Sequence, residues 1–157
     1  MKAAQETDPP VSDLKKHVGF WLRFVSNHVS QAFARRLLAS GVTVAEWVVM
    51  REMFDDEQIS PGIVAERIGM TRGGVSKLVD RLVGKKLMTR RGRSDDRRFQ
   101  AIALTAVGRQ LVPHLASLAD LNDAEFFHPL SARDRAALIA MLKKLVEAHG
   151  LQTLPTE

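Results

Sequence analysis

The sequence predicts a mainly α-helical fold with one two-stranded β-hairpin, and three observations support this prediction. Over most of the chain, apolar residues recur every three or four positions, which is the period of an amphipathic helix. Serine or threonine precedes most of these periodic segments, as helix N-caps do. The pattern changes to short alternating runs between residues 87 and 105, where turn-forming residues separate two short strands.

The first two helices are placed by their apolar spacing and their caps. Apolar residues at steps of mostly three and four predict one long first helix over residues 13–38, and Gly41 follows it closely. Thr43 and Glu46 stand at the spacing of a capping box, which predicts a second helix over about residues 44–54.

Two shorter helices follow. Ser60 is expected as an N-cap with Pro61 at the first helical position, and Gly69 ends this third helix after roughly two turns. Thr71 caps a fourth helix, which Gly84 is expected to stop. The apolar stripe of the fourth helix consists of Val75, Leu78, Val79 and Leu82. Its other face is polar and mostly basic, so the helix is expected to pack through the stripe.

The hairpin and two further helices complete the chain. The segments "LMTRR" and "RFQAIALT" are typical of short strands, with Ile102 and Leu104 alternating inward and "GRSDD" forming the turn. Thr105 caps a fifth helix, in which Pro113 is expected to introduce a kink. The last helix begins at Ser131. Its apolar stripe consists of Leu138, Met141, Leu142 and Leu145.

Composition excludes several classes of function. The 157 residues include no cysteine, which excludes disulfides, thiolate catalysis and thiolate metal sites. No apolar run approaches the roughly 20 residues of a membrane span, so a cytoplasmic protein without a membrane partner is expected. The chain has no glycine-rich phosphate loop, and the arginines around Asp95 and Asp96 should keep both carboxylates ionised. We therefore expect neither an enzyme nor a bound cofactor.

Positive charge is concentrated in one segment. Residues 67–98 contain eleven Lys and Arg against three Asp, a net charge of +8, whereas the whole chain carries +5. The remainder of the chain is therefore net negative. Such segregation is the electrostatic footprint of a surface that binds a polyanion, and double-stranded DNA is the expected partner.

The element order predicts how DNA would be bound. Two short helices joined at Gly69 and followed by a basic hairpin form the pattern of a winged helix-turn-helix. In this fold a helix lies in the major groove, and the hairpin reaches along the backbone into an adjacent minor groove. The outward N-terminal face of the fourth helix consists of Arg72, Gly73, Gly74, Ser76 and Lys77. Its bare glycines would allow close approach to sugar and phosphate; the alternative is an ordinary solvated basic face.

Three motifs occur in order between Ser60 and Leu111: "VSKLVDRL" in the fourth helix, Asp96-Arg97-Arg98 in the hairpin, and "LTAVGRQL" at the fifth helix. In order and spacing they resemble the DNA-binding lobe of the multiple antibiotic resistance regulator (MarR) family. The long first helix and the last two helices extend the resemblance over nearly the whole chain. Two departures stand out: Lys86 occupies a position where the family commonly has glycine, and Gly73-Gly74 replaces the more usual hydroxyl residues.

The resemblance implies a sequence-specific transcriptional regulator, expected to repress adjacent genes. In the family, a wing aspartate braces the arginine that enters the minor groove; here this implies that Asp96 orients Arg98. Bracing reduces the rotamer entropy lost on insertion. The remaining wing arginines, assigned to phosphates or to the solvated edge of the wing, are Arg90, Arg91, Arg93 and Arg97. The predicted DNA-binding residues are Thr71, Arg72, Gly73, Gly74, Ser76, Lys77, Arg81, Arg93, Asp96, Arg97 and Arg98.

The resemblance also implies a homodimer, formed through the first and last helices, that reads a pseudo-palindromic operator. The candidates for the shared core are Trp21, Phe24, Phe126, Phe127, Leu138 and Leu142. The alternative is that these residues serve an intrachain core alone. The expected organisation is a flexible N-terminus over residues 1–12 and one domain over residues 13–157. Within it, the winged lobe covers about 43–105, and the dimerisation helices cover about 13–40 and 106–150.

A ligand site is predicted on more limited grounds. His17, Trp21, Phe24 and His28 follow at spacings of four, three and four, hence on one face of the first helix, and Trp47 could face them. Because family members often bind aromatic carboxylates between their lobes, a small aromatic or phenolic effector is the candidate guest. The alternative is that the histidines are packed or interfacial. The competing function is an architectural winged-helix protein that binds DNA with little sequence preference and senses no ligand.

Overall fold

The computed structural model describes residues 11–91 and 101–152. The α-helices within this part are α1 (Val18–Leu37), α2 (Val44–Glu52), α3 (Pro61–Ile68), α4 (Arg72–Gly84), α5 (Ala106–Phe126) and α6 (Ala132–Ala148). The strands are β1 (Met88–Arg91) and β2 (Ala101–Leu104), and short 3-10 turns lie at Leu14–Lys16 and Leu38–Ser40. The predicted mainly helical winged helix-turn-helix fold is therefore confirmed.

The predicted caps form in the structure. Thr43 and Glu46 make a reciprocal capping box at the start of α2. Side-chain oxygens of Ser60, Thr71 and Thr105 accept hydrogen bonds from backbone amides in the first turns of α3, α4 and α5. At α6, the amide of the third helical residue donates to the Ser131 hydroxyl, 3.1 Å away. Each cap satisfies an amide that has no partner inside its own helix.

The start of the first helix differs from the prediction. Asp13 accepts a hydrogen bond from the amide of Lys15 at 3.0 Å, which caps a single 3-10 turn. His17 then adopts an extended conformation, with φ −86° and ψ 126°, and α1 begins only at Val18. The prediction of a helix that is continuous from residue 13 is therefore wrong, because the local cap at Asp13 closes a separate short turn. The C-terminal end of α2 also differs from the prediction: α2 ends at Glu52, not at residue 54.

The end of α4 also corrects the prediction, because Gly84 belongs to the helix and does not stop it. The left-handed residue is Lys86, with φ 60°. The amide of Leu87 donates to the carbonyl of Leu82 at 3.0 Å, and the amide of Lys86 donates to that of Val83 at 2.9 Å. This is a Schellman motif, in which glycine usually takes the left-handed position. Lysine stands there at a steric cost of about 1 kcal/mol.

The hairpin is antiparallel and has a third, partial partner. Met88 lies opposite Leu104 and Arg91 opposite Ala101. On the other edge of β2, Ile59 and Ile102 exchange two backbone hydrogen bonds of 3.0 and 2.8 Å. Ile102 and Ala103 are both buried, whereas Leu104 is half-buried, so strict alternation of buried residues is wrong. Both edges of β2 are paired and the side chain of Ala103 is small, so little of the surface of Ala103 is exposed.

The hydrophobic core occupies the centre of the chain. It extends from Phe33 and Leu37 in the last turns of α1 to Val112 and Leu115 in α5, and it includes the buried stripe of α4. We call residues 33–91 and 101–119 the central lobe. We call residues 18–25 of α1 together with α6 the terminal segments. No residue of α6 is buried.

Gly108 marks the tightest contact in the central lobe. A Cβ atom at this position would lie 2.0 Å from the carbonyl oxygen of Leu87, so only a hydrogen atom fits there. Thr105 supports the same junction: its amide donates to the Leu87 carbonyl at 3.0 Å, and its hydroxyl donates to the Lys86 carbonyl at 2.9 Å. The start of α5 is thereby fixed against the residues that connect α4 to the wing. Among the described helices, none is long and apolar enough to cross a membrane.

Candidate nucleic-acid interface

The fourth helix presents the face that the sequence predicts. Its stripe of apolar residues is buried, so the opposite side is turned to solvent. Thr71, Arg72, Gly73, Lys77 and Arg81 are exposed, while Gly74 and Ser76 are half-buried. This arrangement places the positive end of the helix dipole and three cationic side chains on one accessible surface.

The cationic side chains of this surface are available to an external partner. Within residues 11–91 and 101–152, the structure shows no hydrogen bond or ion pair for the side chains of Arg72, Lys77 and Arg81. Arg72 lies close to the start of α3, because a Cβ added to Gly62 would meet its Nε at 3.6 Å. The guanidinium therefore lies beside the N-termini of both helices of the helix-turn-helix.

Thr71 and Ser76 have structural partners inside the protein. The Thr71 hydroxyl oxygen accepts from the amide of Gly74 at 3.0 Å. The hydroxyl and the carbonyl of Ser76 each accept from Nη2 of Arg90 at 3.4 Å. Because these contacts use the oxygens as acceptors, both hydroxyl protons remain able to donate to phosphate or base acceptors.

The two adjacent glycines have different surroundings. A Cβ at Gly73 would meet no atom within 4 Å, so this position is open on the exposed face of the helix. A Cβ at Gly74 would lie 3.0 Å from Oγ1 of Thr71, which is the capping oxygen. A side chain added at Gly73 would therefore affect only a molecule that approaches the helix from outside. A side chain added at Gly74 would also crowd the capping oxygen of Thr71.

Arg90 joins the wing to the fourth helix. From β1 its Nη2 contacts the Asp80 carboxylate at 2.6 Å, in addition to Ser76. The assignment of Arg90 to phosphates or to a solvated edge is therefore wrong, because its guanidinium is used between two elements of the protein. The sequence contained one signal for this contact: Arg90 lies in a predicted strand, ten residues after Asp80 in the fourth helix.

The other wing residues divide between described and undescribed positions. Arg91 is exposed at the end of β1 and lines a cavity of about 380 Å³ beside Asp55 and Arg109. The predicted minor-groove arginine Arg98 and its brace Asp96 lie outside the described residues, as do Arg93 and Arg97, which were assigned to phosphates or to the solvated edge of the wing.

A buried carboxylate that the sequence analysis identified only as a cap holds the far end of the fourth helix. Both oxygens of Glu46 accept from Nζ of Lys85, at 2.9 and 2.7 Å, and one also accepts from the amide of Thr43 at 2.8 Å. Burial acts to raise the pKa of Glu46, but the hydrogen bonds and positive charge of Lys85 outweigh it and lower this pKa overall.

Arg109 is a second residue that the sequence analysis missed. Its guanidinium donates to the carbonyls of Phe54 and Asp56 at 2.6 and 2.9 Å, and it lies 5.5 Å from the centre of the Phe54 ring. It thus fixes the segment between α2 and α3 to α5. The available signal was the motif "LTAVGRQL", whose threonine, glycine and arginine all make specific contacts at this junction.

The predicted ligand-site residues do not form one enclosed group within a single chain. Trp21 and Phe24 are about half exposed, and the ring of Phe24 stacks on His28 at 4.4 Å between centroids. His17 precedes α1 and contacts the carbonyl of Leu14. Trp47 is buried instead in the core, where its ring meets Phe33 edge-on at 6.4 Å. Among the described residues, no group of three or more acidic or histidine side chains could hold a metal ion.

Comparisons with known proteins agree with this geometry. Residues 40–98, which include the helix-turn-helix and most of the wing, match the model of the MarR family. The fold is similar to that of Bordetella bronchiseptica BpsR, whose DNA binding is regulated by 6-hydroxynicotinic acid. That match has 25% identity and a TM-score of 0.78, and it covers 87% of this chain and 97% of the other.

Two further structures share the fold. One is a MarR mutant from E. coli complexed with operator DNA, with 23% identity, a TM-score of 0.77, and coverage of 86% of this chain and 99% of the other. The second is the PcaV transcriptional regulator from Streptomyces coelicolor in complex with its natural ligand, with 21% identity, a TM-score of 0.75, and coverage of 90% and 99%. The chain is therefore similar to the MarR family over residues 40–98, and it shares the fold of these three structures over 86–90% of its length.

Proposed function

We propose that this protein is a homodimeric, sequence-specific repressor that binds a pseudo-palindromic operator near the genes it controls. The main support for the proposal comes from the outward face of α4, where the side chains of Arg72, Lys77 and Arg81 have no partner among the described residues. A helix in the major groove reads bases with its N-terminal side chains, and arginine and lysine pair with guanine acceptors. In this proposal Arg72 and Lys77 contact bases or phosphates, and Arg81 contacts the backbone.

The dimer is proposed from the terminal segments. Large apolar side chains are exposed on both of them; those on α1 are Val18, Trp21, Leu22, Phe24 and Val25, and those on α6 are Ile139, Met141, Leu142, Leu145 and Val146. Exposed apolar surface on this scale indicates a protein partner, and a second copy fits the two-fold symmetry of a palindromic operator. In such a dimer the half-sites lie about one helical turn apart.

A small aromatic acid is the proposed effector. The supporting observations are the exposed rings of Trp21 and Phe24, the imidazole of His28 stacked beside them, and the ligand-regulated DNA binding of BpsR. Because Trp47 is buried against Phe33, we place the candidate site on the face of α1 that carries Trp21, Phe24 and His28. Dimer formation would complete its walls.

The alternative function is an architectural DNA-binding protein without sequence preference. Competition experiments at fixed salt concentration separate the two. The regulator should prefer duplexes selected from a random pool over scrambled duplexes by at least about a thousandfold, whereas the architectural protein should bind both alike. Equal affinity for both duplexes would contradict sequence-specific regulation.

Single substitutions test the proposed contacts on a selected duplex. Removing a base-contacting side chain costs about 1–3 kcal/mol, so Arg72→Ala should weaken binding by about fivefold or more. Lys143→Ala is the matched control, since it removes an exposed cation from α6, far from the proposed reading face. Equal effects of the two substitutions would indicate general attraction to DNA.

The wing is tested separately. Arg98→Ala should weaken operator binding strongly, and Asp96→Ala should do so more mildly by leaving Arg98 without its brace. An affinity of Arg98→Ala within about twofold of the unsubstituted protein would reject a minor-groove contact, because such contacts are worth more than that.

A further inference from the structure

Lys85 ties the C-terminal end of α4 to the corner between α1 and α2. Its Nζ donates to the carbonyl of Gly41 at 2.8 Å and to the two carboxylate oxygens of Glu46 at 2.9 and 2.7 Å. The ammonium group has three protons, so these three acceptors satisfy it fully. All three belong to a stretch of six residues, which makes this one side chain a link between two parts of the fold.

The corner that receives Lys85 is itself well fixed. Glu46 is fully buried, and its carboxylate also accepts from the amide of Thr43, whose hydroxyl accepts in turn from the amide of Glu46. Gly41 has φ 65° and connects the end of the first helical region to α2. Glu46 therefore cannot move away from Lys85 without losing the cap of α2, and the contact has one defined geometry.

Lys85 caps the C-terminal end of α4, opposite the N-terminal end that carries Arg72. A helix of 13 residues is roughly 20 Å long, so a rotation of about 10° around its C-terminal end would move Arg72 by roughly 3 Å. That displacement is similar to the rise of about 3.4 Å between successive base pairs. In a two-fold dimer both helices would shift, and the distance between them would change accordingly.

We propose that Lys85 is a positioning residue that sets the half-site spacing accepted by the dimer. The proposal rests on the proposed two-fold operator binding and adds the residue that controls its geometry. Through Gly41, Lys85 connects α4, the proposed major-groove helix, to the segment that follows α1, and α1 carries the proposed dimer surface.

The experiment uses the full chain and duplexes selected by the unsubstituted protein from a random pool. Derivatives of one such duplex carry spacers shortened or lengthened by one or two base pairs, and affinities are measured by fluorescence anisotropy. Lys85→Met removes the ammonium group. The double variant Lys85→Met with Glu46→Gln also removes the buried charge, while the glutamine oxygen can still accept from the amide of Thr43.

Lys86→Met is the matched control, since it removes the neighbouring exposed lysine without touching Glu46. We expect the preference for the best spacer over its neighbours to fall by about threefold or more in both Lys85 variants, and to persist in the control. A role limited to stability would lower the melting temperature, or lower all affinities by one factor, and leave the spacing profile unchanged.

The outcomes separate the two proposals. An unchanged spacing profile in the double variant, or a flattened profile in Lys86→Met as well, would overturn the positioning role of Lys85 while two-fold binding stands. A flat profile for the unsubstituted protein would overturn two-fold operator reading, and the positioning role with it.

Discussion

The central lobe and the terminal segments of this protein differ in how far their apolar side chains are buried. In the central lobe, side chains such as Leu37, Met50, Leu82 and Ile102 are fully buried within one chain. In the terminal segments, Trp21 and Leu142 retain 49% and 40% of their accessible surface, although they are as apolar as the core residues. The lobe is therefore complete within one chain, whereas the terminal segments have surfaces that suit a partner.

The largest effect is expected inside the central lobe, at Gly108. The methyl group of Gly108→Ala would overlap the Leu87 carbonyl at 2.0 Å, and backbone cannot yield as a flexible side chain does. We expect the free energy of unfolding to fall by roughly 3 kcal/mol or more, measured by denaturant titration. Gly84→Ala is the control; nothing lies within 4 Å of it, so it should be neutral or stabilise by up to about 1 kcal/mol. Similar values for the two variants would mean that the junction is not tightly packed.

The next effect tests the terminal segments. Leu142→Asp places a charge on the exposed apolar face of α6 and should dissociate the proposed dimer, so the mass measured by light scattering should fall to the 17.5 kDa of one chain. Val107→Asp is the control, because Val107 is 62% exposed but belongs to the central lobe. A monomeric mass for the unsubstituted protein at micromolar concentration would contradict the dimer.

A smaller effect is expected at Gly73, where stability and binding should change in opposite directions. Alanine should stabilise α4 by about 1 kcal/mol because glycine is a poor helix former, and no atom opposes the added methyl group. Operator affinity should nevertheless decrease if DNA approaches this bare surface closely. Gly84→Ala lies in the same helix and should give the stability gain without the loss of affinity. Unchanged affinity in Gly73→Ala would argue against close approach there.

The smallest effect concerns pH and the carboxylate of Glu46. Its pKa is lowered in the folded protein relative to the ordinary value of 4.5, so its contribution to stability is present above that value. Below about pH 4.5 the unfolded chain binds the proton first, and the contribution is lost as the pH falls through the folded pKa. The stability difference between the unsubstituted protein and Glu46→Gln should therefore shrink as the pH falls from neutral to below about 4.5. A constant difference over this interval would contradict the lowered pKa.

Much of the fold could be predicted from local sequence signals. Caps such as Thr43, Ser60 and Thr71 are local, because a side-chain oxygen satisfies an amide two or three residues away. The buried stripe of α4 follows from helical period alone. The exposed basic face opposite the stripe was therefore predictable as well.

The errors occurred where distant residues or competing local contacts determine the structure. Arg90 was assigned to solvent or phosphate, but it pairs with Asp80. Local sequence does not reveal this pair, because it depends on how the wing folds back onto α4. Trp47 was expected to face Trp21, Phe24 and His28, but its ring packs on Phe33, nearer the C-terminal end of the same helix. The spacing of aromatic residues along α1 does not reveal where α2 crosses it. Gly84 was expected to stop the fourth helix, whereas the helix includes Gly84 and ends in a Schellman motif with Lys86 in the left-handed position.

The pair of hydrogen bonds between Ile59 and Ile102 bears on how the central lobe opens and closes. The two residues are 43 positions apart, and their contact joins the segment before the helix-turn-helix to the inner strand of the wing. Unfolding of either segment breaks this contact, so we expect the helix-turn-helix and the base of the wing to open together. Hydrogen exchange at these two amides would then require the same opening event, and the wing base would share the protection of the core. The exposed face of α4 and the base of the wing are then expected to be lost in the same opening event.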